Sequence, residues 1–481
     1  MEKSLKEKSL KSASWSLIDS FGSSGVIFIV GIFLARILSP EEFGIIGMIA
    51  IFIAISNSIV DSGFSSALIR KLDVNNIDYN TVFILNLFLA FFLYFILYFL
   101  APAISIFFNT PILIPVTRAM GLIVIINSFS IIHRTILVKN INFRVQAKIS
   151  LVASIVSGIV GITLALLNFG VWSLILQQLI KQFVNSVLLW LANSWRPRFE
   201  FSFKSFKGLF GFGSKLLLSG IIDTIYNNLY YVVIGKFYNQ SQLGQYTRAE
   251  QFNSVFSNNL TVAIQRVSYP VFSNIQNEEE RFKDAFSKVI RVTMFATFTC
   301  MLLLAAVAKP FLALLIGEKW LLAASYLQIM CFYGMLVPLH AINLNLLQVK
   351  GKSKLFLQLE IIKKIIGVLP IVLGIYYGII TMLIATVFTS IIAYFINSHY
   401  TAKYLRYSTL QQLRDIFPSF LIAFGISVIV WLISFLHLSY LKIFLFQLFV
   451  GLTFTIVINE KIKLPEYSIL KEYAFKLLKK K

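Results

Sequence analysis

The apolar positions of this chain come in long runs rather than in strict alternation. Stretches of about 20 residues, the length a helix needs to cross roughly 30 Å of hydrocarbon, recur from residue 15 to residue 459 with short polar breaks. Read by length and flanking charge, they predict spans near 15–37, 43–61, 80–100, 112–132, 149–168, 170–192, 209–235 and 243–272. Six more follow near 289–309, 320–348, 356–376, 378–398, 415–435 and 438–459. The expected fold is an all-α integral membrane protein of about fourteen transmembrane helices, with no stretch left over for a soluble catalytic domain. The lysine-rich N-terminus ahead of the first run imitates a signal peptide. Asp19, Gly22, Ser23 and Ser24 interrupt that run and no small-residue cleavage site follows, so the first span is expected to be retained.

Charge tests the helix count independently, because lysine and arginine should concentrate in every second loop. The basic set comprises Lys3, Lys6, Lys8 and Lys11, then Arg70 and Lys71, Arg134–Lys148, Arg196–Lys207, Arg281–Lys288, Lys350–Lys354, Lys403–Arg414 and the lysines after residue 460. The intervening loops hold Arg36, Lys236, Lys309, Lys319 and Lys442. A missed or invented span would scramble this order. The pattern therefore predicts an even count, with both termini cytoplasmic.

A repeat at an offset of 200 residues refines the picture. Ala35-Arg36-Ile37-Leu38-Ser39-Pro40-Glu41-Glu42-Phe43-Gly44 lies over Gly235-Lys236-Phe237-Tyr238-Asn239-Gln240-Ser241-Gln242-Leu243-Gly244, with a basic residue, a polar turn, an apolar residue and a glycine in register. Phe169-Gly170 and Tyr377-Gly378 repeat the cue later in each half. Six spans per repeat is an even number, so the halves share orientation and form a parallel repeat. The expected organisation is a six-helix lobe over 1–200, a second over 201–405, and two additional helices with a basic tail over 406–481.

Composition agrees: 58% hydrophobic and 13% charged residues, with a mean hydropathy of +0.80, describe a chain whose main solvent is not water. A net charge of +22 would raise nucleic acid in a soluble protein, but here it sits in the loops and reads as orientation, with no nucleic-acid partner. Cys300 and Cys331 fall inside apolar spans and read as small core residues. His133, His340, His399 and His437 have no partners at metal spacing, and no phosphate-cradling glycine loop with a lysine is present. No enzyme, cofactor or metal site is expected.

What stands out is polarity inside the spans, where an ionised group at the bilayer centre costs about 2.5 to 3.5 kcal/mol. In the eighth span Arg248, Gln251, Ser254, Asn258, Thr261 and Gln265 recur every three or four residues and share one helix face. Such a stripe must line a cavity or pack on another polar helix. The second span carries small or polar groups at Gly44, Gly47, Ala54, Ser58, Asp61 and Ser65, as expected where helices approach closely or a pathway opens. Asp19 and Ser23 in the first span, and Asp223, Asn227 and Tyr230 in the seventh, extend the pattern and place the expected pathway between the halves. Arg118, Lys181, Arg266 and Lys363 add positive charge near membrane depth. Snorkelling to an interface accounts for Lys181 and Lys363; the cations as a set point to an anionic substrate.

Ser39-Pro40-Glu41-Glu42-Phe43-Gly44 after Leu34-Ala35-Arg36, with Asp61-Ser62-Gly63-Phe64-Ser65-Ser66-Ala67-Leu68-Ile69, resembles the opening of the polysaccharide-transporter family, in its colanic-acid and teichuronic-acid exporter branch of Wzx-type flippases. Asn142-Phe143-Arg144, Phe169-Gly170-Val171-Trp172-Ser173-Leu174 and Gly317-Glu318-Lys319-Trp320 extend the resemblance to about residue 350. It implies the multidrug/oligosaccharidyl-lipid/polysaccharide exporter superfamily, with two six-helix lobes around a central cavity. It also implies flipping of undecaprenyl-pyrophosphate-linked oligosaccharide by alternating access, with a polysaccharide polymerase and glycosyltransferases as partners. On this reading Arg248, Arg266 and Arg118 attract the anionic head group, Gln251, Asn258 and Gln265 bind sugar, and Asn227 is a further candidate for lining the cavity. Asp19, Asp61 and Asp223 are candidates for carrying a coupling proton or sodium ion. The rival readings are a drug or metabolite antiporter of the same fold and, from another class, a membrane glycan polymerase or acyltransferase.

Overall fold

The computed structural model describes residues 22–61 and 63–479. Asp19 therefore lies outside the described residues. The described residues are helical, without a strand, as a chain that satisfies its backbone inside lipid must be unless it closes a barrel. Among the described residues, eleven helical stretches are long and apolar enough to cross a bilayer, Glu318–Val349 counted as one. Over the described residues every expected span coincides with a helix or a pair of helices, which is consistent with about fourteen crossings.

The first helix is α1 (Gly22–Ile37), followed by α2 (Pro40–Asp61), the short α3 (Phe64–Arg70), α4 (Asn76–Phe108), α5 (Leu113–Lys139), α6 (Phe143–Leu166), α7 (Val171–Ala192) and α8 (Phe203–Phe237). After α9 (Gln240–Asn274) come α10 (Glu279–Ile316), α11 (Leu321–Gly334), α12 (Val337–Val349), α13 (Ser353–Ile366) and α14 (Val368–Tyr377). The chain closes with α15 (Ile379–Leu405), α16 (Thr409–Leu432), α17 (Tyr440–Ile462) and α18 (Pro465–Lys479). Two expected spans are each built from two helices. The break at Met335–Leu336 precedes Pro338 at the start of α12, and Gly367 separates α13 from α14.

The chain divides into two compact units, Met1–Gly244 and Gln245–Lys481. The first holds α8 and the opening turn of α9 together with the earlier helices, whereas the lobe expected from the repeat ran over 1–200. In this unit α4 packs on α5, α6 on α7, and α2 on α8. Phe64, Ala67, Leu68, Val82, Phe83, Ile132 and Leu209 form one of its cores, flanked by Trp190 and Trp195. In the second unit α10 packs on α11 and α16, and α14 on α15.

Capping fixes where the helices begin. Asn75 and Asp78 exchange hydrogen bonds at the start of α4, Asp78 N–H to Asn75 Oδ1 at 3.0 Å and Asn75 N–H to Asp78 Oδ2 at 3.1 Å. Ser408 and Gln411 do the same at α16.

Candidate functional site

The small-residue face of α2 is a close-approach surface within the first unit. A Cβ on Gly44 would lie 1.8 Å from the carbonyl oxygen of Gln240, and a Cβ on Gly244 would lie 1.8 Å from that of Pro40. Positions 40 and 240, like 44 and 244, are equivalents under the 200-residue repeat. The two copies thus pack reciprocally, glycine against the partner copy's carbonyl, as self-complementary surfaces do about a two-fold axis. Further along, a Cβ on Gly220 would come within 3.3 Å of Ser58 Oγ, and one on Gly63 within 2.6 Å of Gly213 O. Of the two expectations for this face, close helix approach is realised at Gly44 and Ser58. Asp61 accepts a hydrogen bond from Ser65 Oγ.

In α9 the expected stripe is distributed unevenly. Arg248 donates from Nη1 to Gln251 Oε1, and both are half-buried. Gln265 Nε2 reaches Asn345 Oδ1 on α12 at 3.5 Å, Thr261 is buried, and Asn258 and Arg266 are exposed. Besides this stripe, α9 carries polar groups on a second face that the sequence reading passed over. Gln245, Asn253, Ser257 and Ser268 are all buried. Gln245 accepts from Ala323 N at 2.8 Å and donates to Lys319 O at 2.6 Å, which pins the entry of α11. A Cβ on Gly334 would lie 2.2 Å from Asn253 Oδ1, so α9 crosses α11 at this point.

The remaining sequence candidates lie on other helices. Arg118 lies over the Tyr98 ring, 4.1 Å from its centroid, and donates to the Tyr98 carbonyl at 3.4 Å, which ties α5 to α4. Asp223 and Asn227 are exposed on α8. Lys363 pairs with Glu360 at 2.5 Å. Cys300 and Cys331 are free thiols, Cys331 fully buried.

Two networks of amides between helices were not singled out from the sequence. In the first unit Asn127 Nδ2 donates to Asn57 Oδ1 at 2.9 Å and Gln182 Nε2 donates to Asn127 Oδ1 at 2.7 Å, joining α2, α5 and α7. In the second, Thr401 Oγ1 donates to Asn343 Oδ1 at 2.6 Å and Gln412 Nε2 donates to the same oxygen at 3.2 Å. His340 there touches Ser390 Oγ at 3.0 Å and Asn397 Nδ2 at 3.2 Å, so both ring nitrogens are engaged. A single amide in an apolar span is the available signal, since burial there without a partner is costly.

Three cavities accompany these features. One of about 340 Å³ in the second unit is apolar, lined by residues including Leu302, Phe332, Phe424 and Trp431. One of about 400 Å³ in the first unit lies beside the glycine crossing, between Glu41, Lys236, Asn239 and Ser241. Another, of about 700 Å³, lies in the first unit among Arg70, Lys71, Asp78 and Lys204.

Comparison with known proteins places this architecture. The chain is 28% identical to the succinoglycan biosynthesis transport protein ExoT of Rhizobium meliloti (strain 1021) over 68% of this chain and 67% of that protein. It is 25% identical to the lipopolysaccharide biosynthesis protein WzxC of Escherichia coli (strain K12) over 77% of this chain and 76% of that one. A solved structure of the lipid II flippase MurJ in an inward closed conformation superposes with a TM-score of 0.75 at 17% identity, covering 93% of this chain and 99% of that one. The chain therefore shares the fold of that flippase structure. With the polysaccharide biosynthesis protein family profile matching residues 33–325, more than half of its length, this multi-pass membrane chain belongs to that family.

Proposed function

We propose that this chain is a flippase of polysaccharide biosynthesis, moving undecaprenyl-pyrophosphate-linked oligosaccharide units across the bacterial cytoplasmic membrane by alternating access. The observation that carries the reading is α9. In a chain of this family, among helices apolar enough to cross a bilayer, α9 presents hydrogen-bonding groups from Gln245 to Ser268 on more than one face. Such a helix suits a cargo that is itself a dense array of hydroxyls with a charged diphosphate.

In this proposal Arg248, Arg266 and Arg118 draw the anionic head, and Gln251, Asn258, Gln265 and Asn227 exchange hydrogen bonds with sugar hydroxyls. The Arg248–Gln251 bond keeps a cation and an amide together on one side of α9. Asp61 and Asp223, with Asp19, are the proposed carriers of a coupling proton or sodium ion. In this proposal both termini lie in the cytoplasm, on the side of the basic loops. No bond of the substrate is made or broken by this chain: glycosyltransferases supply the unit and a polymerase consumes it.

Deletion of the gene tests the proposal. Loss of surface polymer with completed lipid-linked units trapped on the cytoplasmic leaflet is expected. Normal polymer with no trapped intermediate, in a strain without a second copy, would refute it.

A further inference from the structure

One face of α7 carries side chains that no role above uses. The helix packs on α6, α5 and α2 in the first unit, and it is long and apolar enough to cross a bilayer. Gln178, Lys181, Gln182 and Asn185 are spaced so that helical geometry confines them to an arc of about 100°. Phe183, Val187 and Leu191 mark the opposite side, and all three are exposed, as residues that meet lipid are. Lys181 stands midway along the 22 residues of the helix. A cation and three amides in such a helix need polar surroundings, because acyl chains offer no hydrogen bond.

The amides are held with one end of each left open. Asn127 Nδ2 of α5 donates to Asn57 Oδ1 of α2 at 2.9 Å, and Asn127 Oδ1 accepts from Gln182 Nε2 at 2.7 Å. Asn57 Nδ2 and Gln182 Oε1 have no partner among the described residues, and neither is closed off by packing. Gln178 and Lys181, both half-buried, make no side-chain hydrogen bond or ion pair among the described residues. A free donor on α2 thus stands beside a free acceptor, a whole amide and an ammonium on α7.

From this arrangement we infer that the α7 face, together with Asn57, is a binding site for the sugar rings of a glycan. A sugar hydroxyl both donates and accepts, and a primary amide answers both needs from one side chain. Helix positions three and four residues apart stand about 5–6 Å from one another, so Gln178, Lys181 and Gln182 reach successive hydroxyls of one or two rings. Amides outnumber charges on this face, which suits hydroxyls better than a diphosphate. Taking that glycan to be the cargo rests on the flippase reading; its binding is measured with no transport step.

The test titrates full-length detergent-purified protein calorimetrically with oligosaccharide repeat units released from the cell's own surface polymer. Saturable binding is expected, weakened about tenfold or more in Gln178→Leu and in Lys181→Met. Neither substitution breaks a bond within the described residues, so both variants should fold, which unchanged melting temperatures verify. Phe183→Leu, on the exposed apolar side, should bind as the parent does. In a background with Cys300 and Cys331 replaced by alanine, Gln178→Cys should react with a water-soluble methanethiosulfonate and Val187→Cys should not. Absence of saturable binding by the parent, parental affinity in both variants, or Gln178→Cys as unreactive as Val187→Cys would overturn the inference. Glycan binding without flipping in liposomes would sink the flippase reading and leave the site; flipping with parental glycan affinity in Gln178→Leu and Lys181→Met would do the reverse.

Discussion

Replacing Gly44 with alanine puts a methyl group where the structure has no room. The new Cβ would stand 1.8 Å from Gln240 O, 2.6 Å from its carbonyl carbon and 3.0 Å from its Cα, all backbone atoms that no rotamer change can move. The Gly44→Ala clash requires the start of α9 to retreat by about 1.2 Å before even a 3.0 Å contact is reached, and Gly244→Ala asks the same of Pro40. Overpacking of this kind costs about 1–3 kcal/mol, and a backbone obstacle puts it at the upper end, about a hundredfold in the equilibrium between packed and separated states. The sign is diagnostic, because glycine to alanine inside an unobstructed helix stabilises by about 1 kcal/mol. Gly425 in α16 and Gly211 in α8 have nothing within 4 Å of the added Cβ and serve as controls. Purified in detergent, Gly44→Ala and Gly244→Ala should each melt lower than the parent, while Gly425→Ala and Gly211→Ala melt at or above it. Labelling of Ser241→Cys, beside the crossing, with a membrane-impermeant maleimide should rise in the Gly44→Ala background. Melting and labelling unchanged in both Gly44→Ala and Gly244→Ala would refute the reciprocal packing.

Other consequences follow from particular hydrogen bonds. Asn127→Leu removes both interhelical bonds to Asn57 and Gln182 and should cost about 1 kcal/mol, read as a modest drop in melting temperature with export retained. Gln245→Leu strands the Lys319 carbonyl and the Ala323 amide at the entry of α11, which should destabilise by about 2–4 kcal/mol and expose residues 317–323 to limited proteolysis. Arg248→Gln removes the cation proposed for the diphosphate and should lower polysaccharide export several-fold at unchanged protein level; unchanged export would remove Arg248 from the head-group role.

The spans were legible in the sequence because lipid leaves the backbone one economical solution, and a helix long enough to cross advertises itself by length and loop charge. The repeat was legible as a faint register match, and the structure gives it a mechanical meaning that no residue-by-residue similarity conveys: Gly44 and Gly244 are glycines because each faces the other copy's backbone. The stripe on α9 was only half legible. A period of three to four finds a polar face, but with Gln245, Asn253 and Ser257 present as well, period alone does not say which face turns inward. The amide networks were out of reach, since Asn57, Asn127 and Gln182 are single polar residues in apolar runs whose pairing is decided by helix packing across 55 to 70 residues of chain. The breaks at Leu336 and Gly367 had a local signal in Pro338, Gly367 and Pro370, but as continuous apolar runs they read as single spans.

The most direct measurement is flipping by the purified protein alone. Reconstituted into liposomes with a lipid-linked oligosaccharide placed in one leaflet, it should carry the labelled head group to the opposite leaflet, with Arg248→Gln markedly slower at equal incorporation. Transfer no faster than in protein-free liposomes, under an imposed proton or sodium gradient of either direction, would contradict the account.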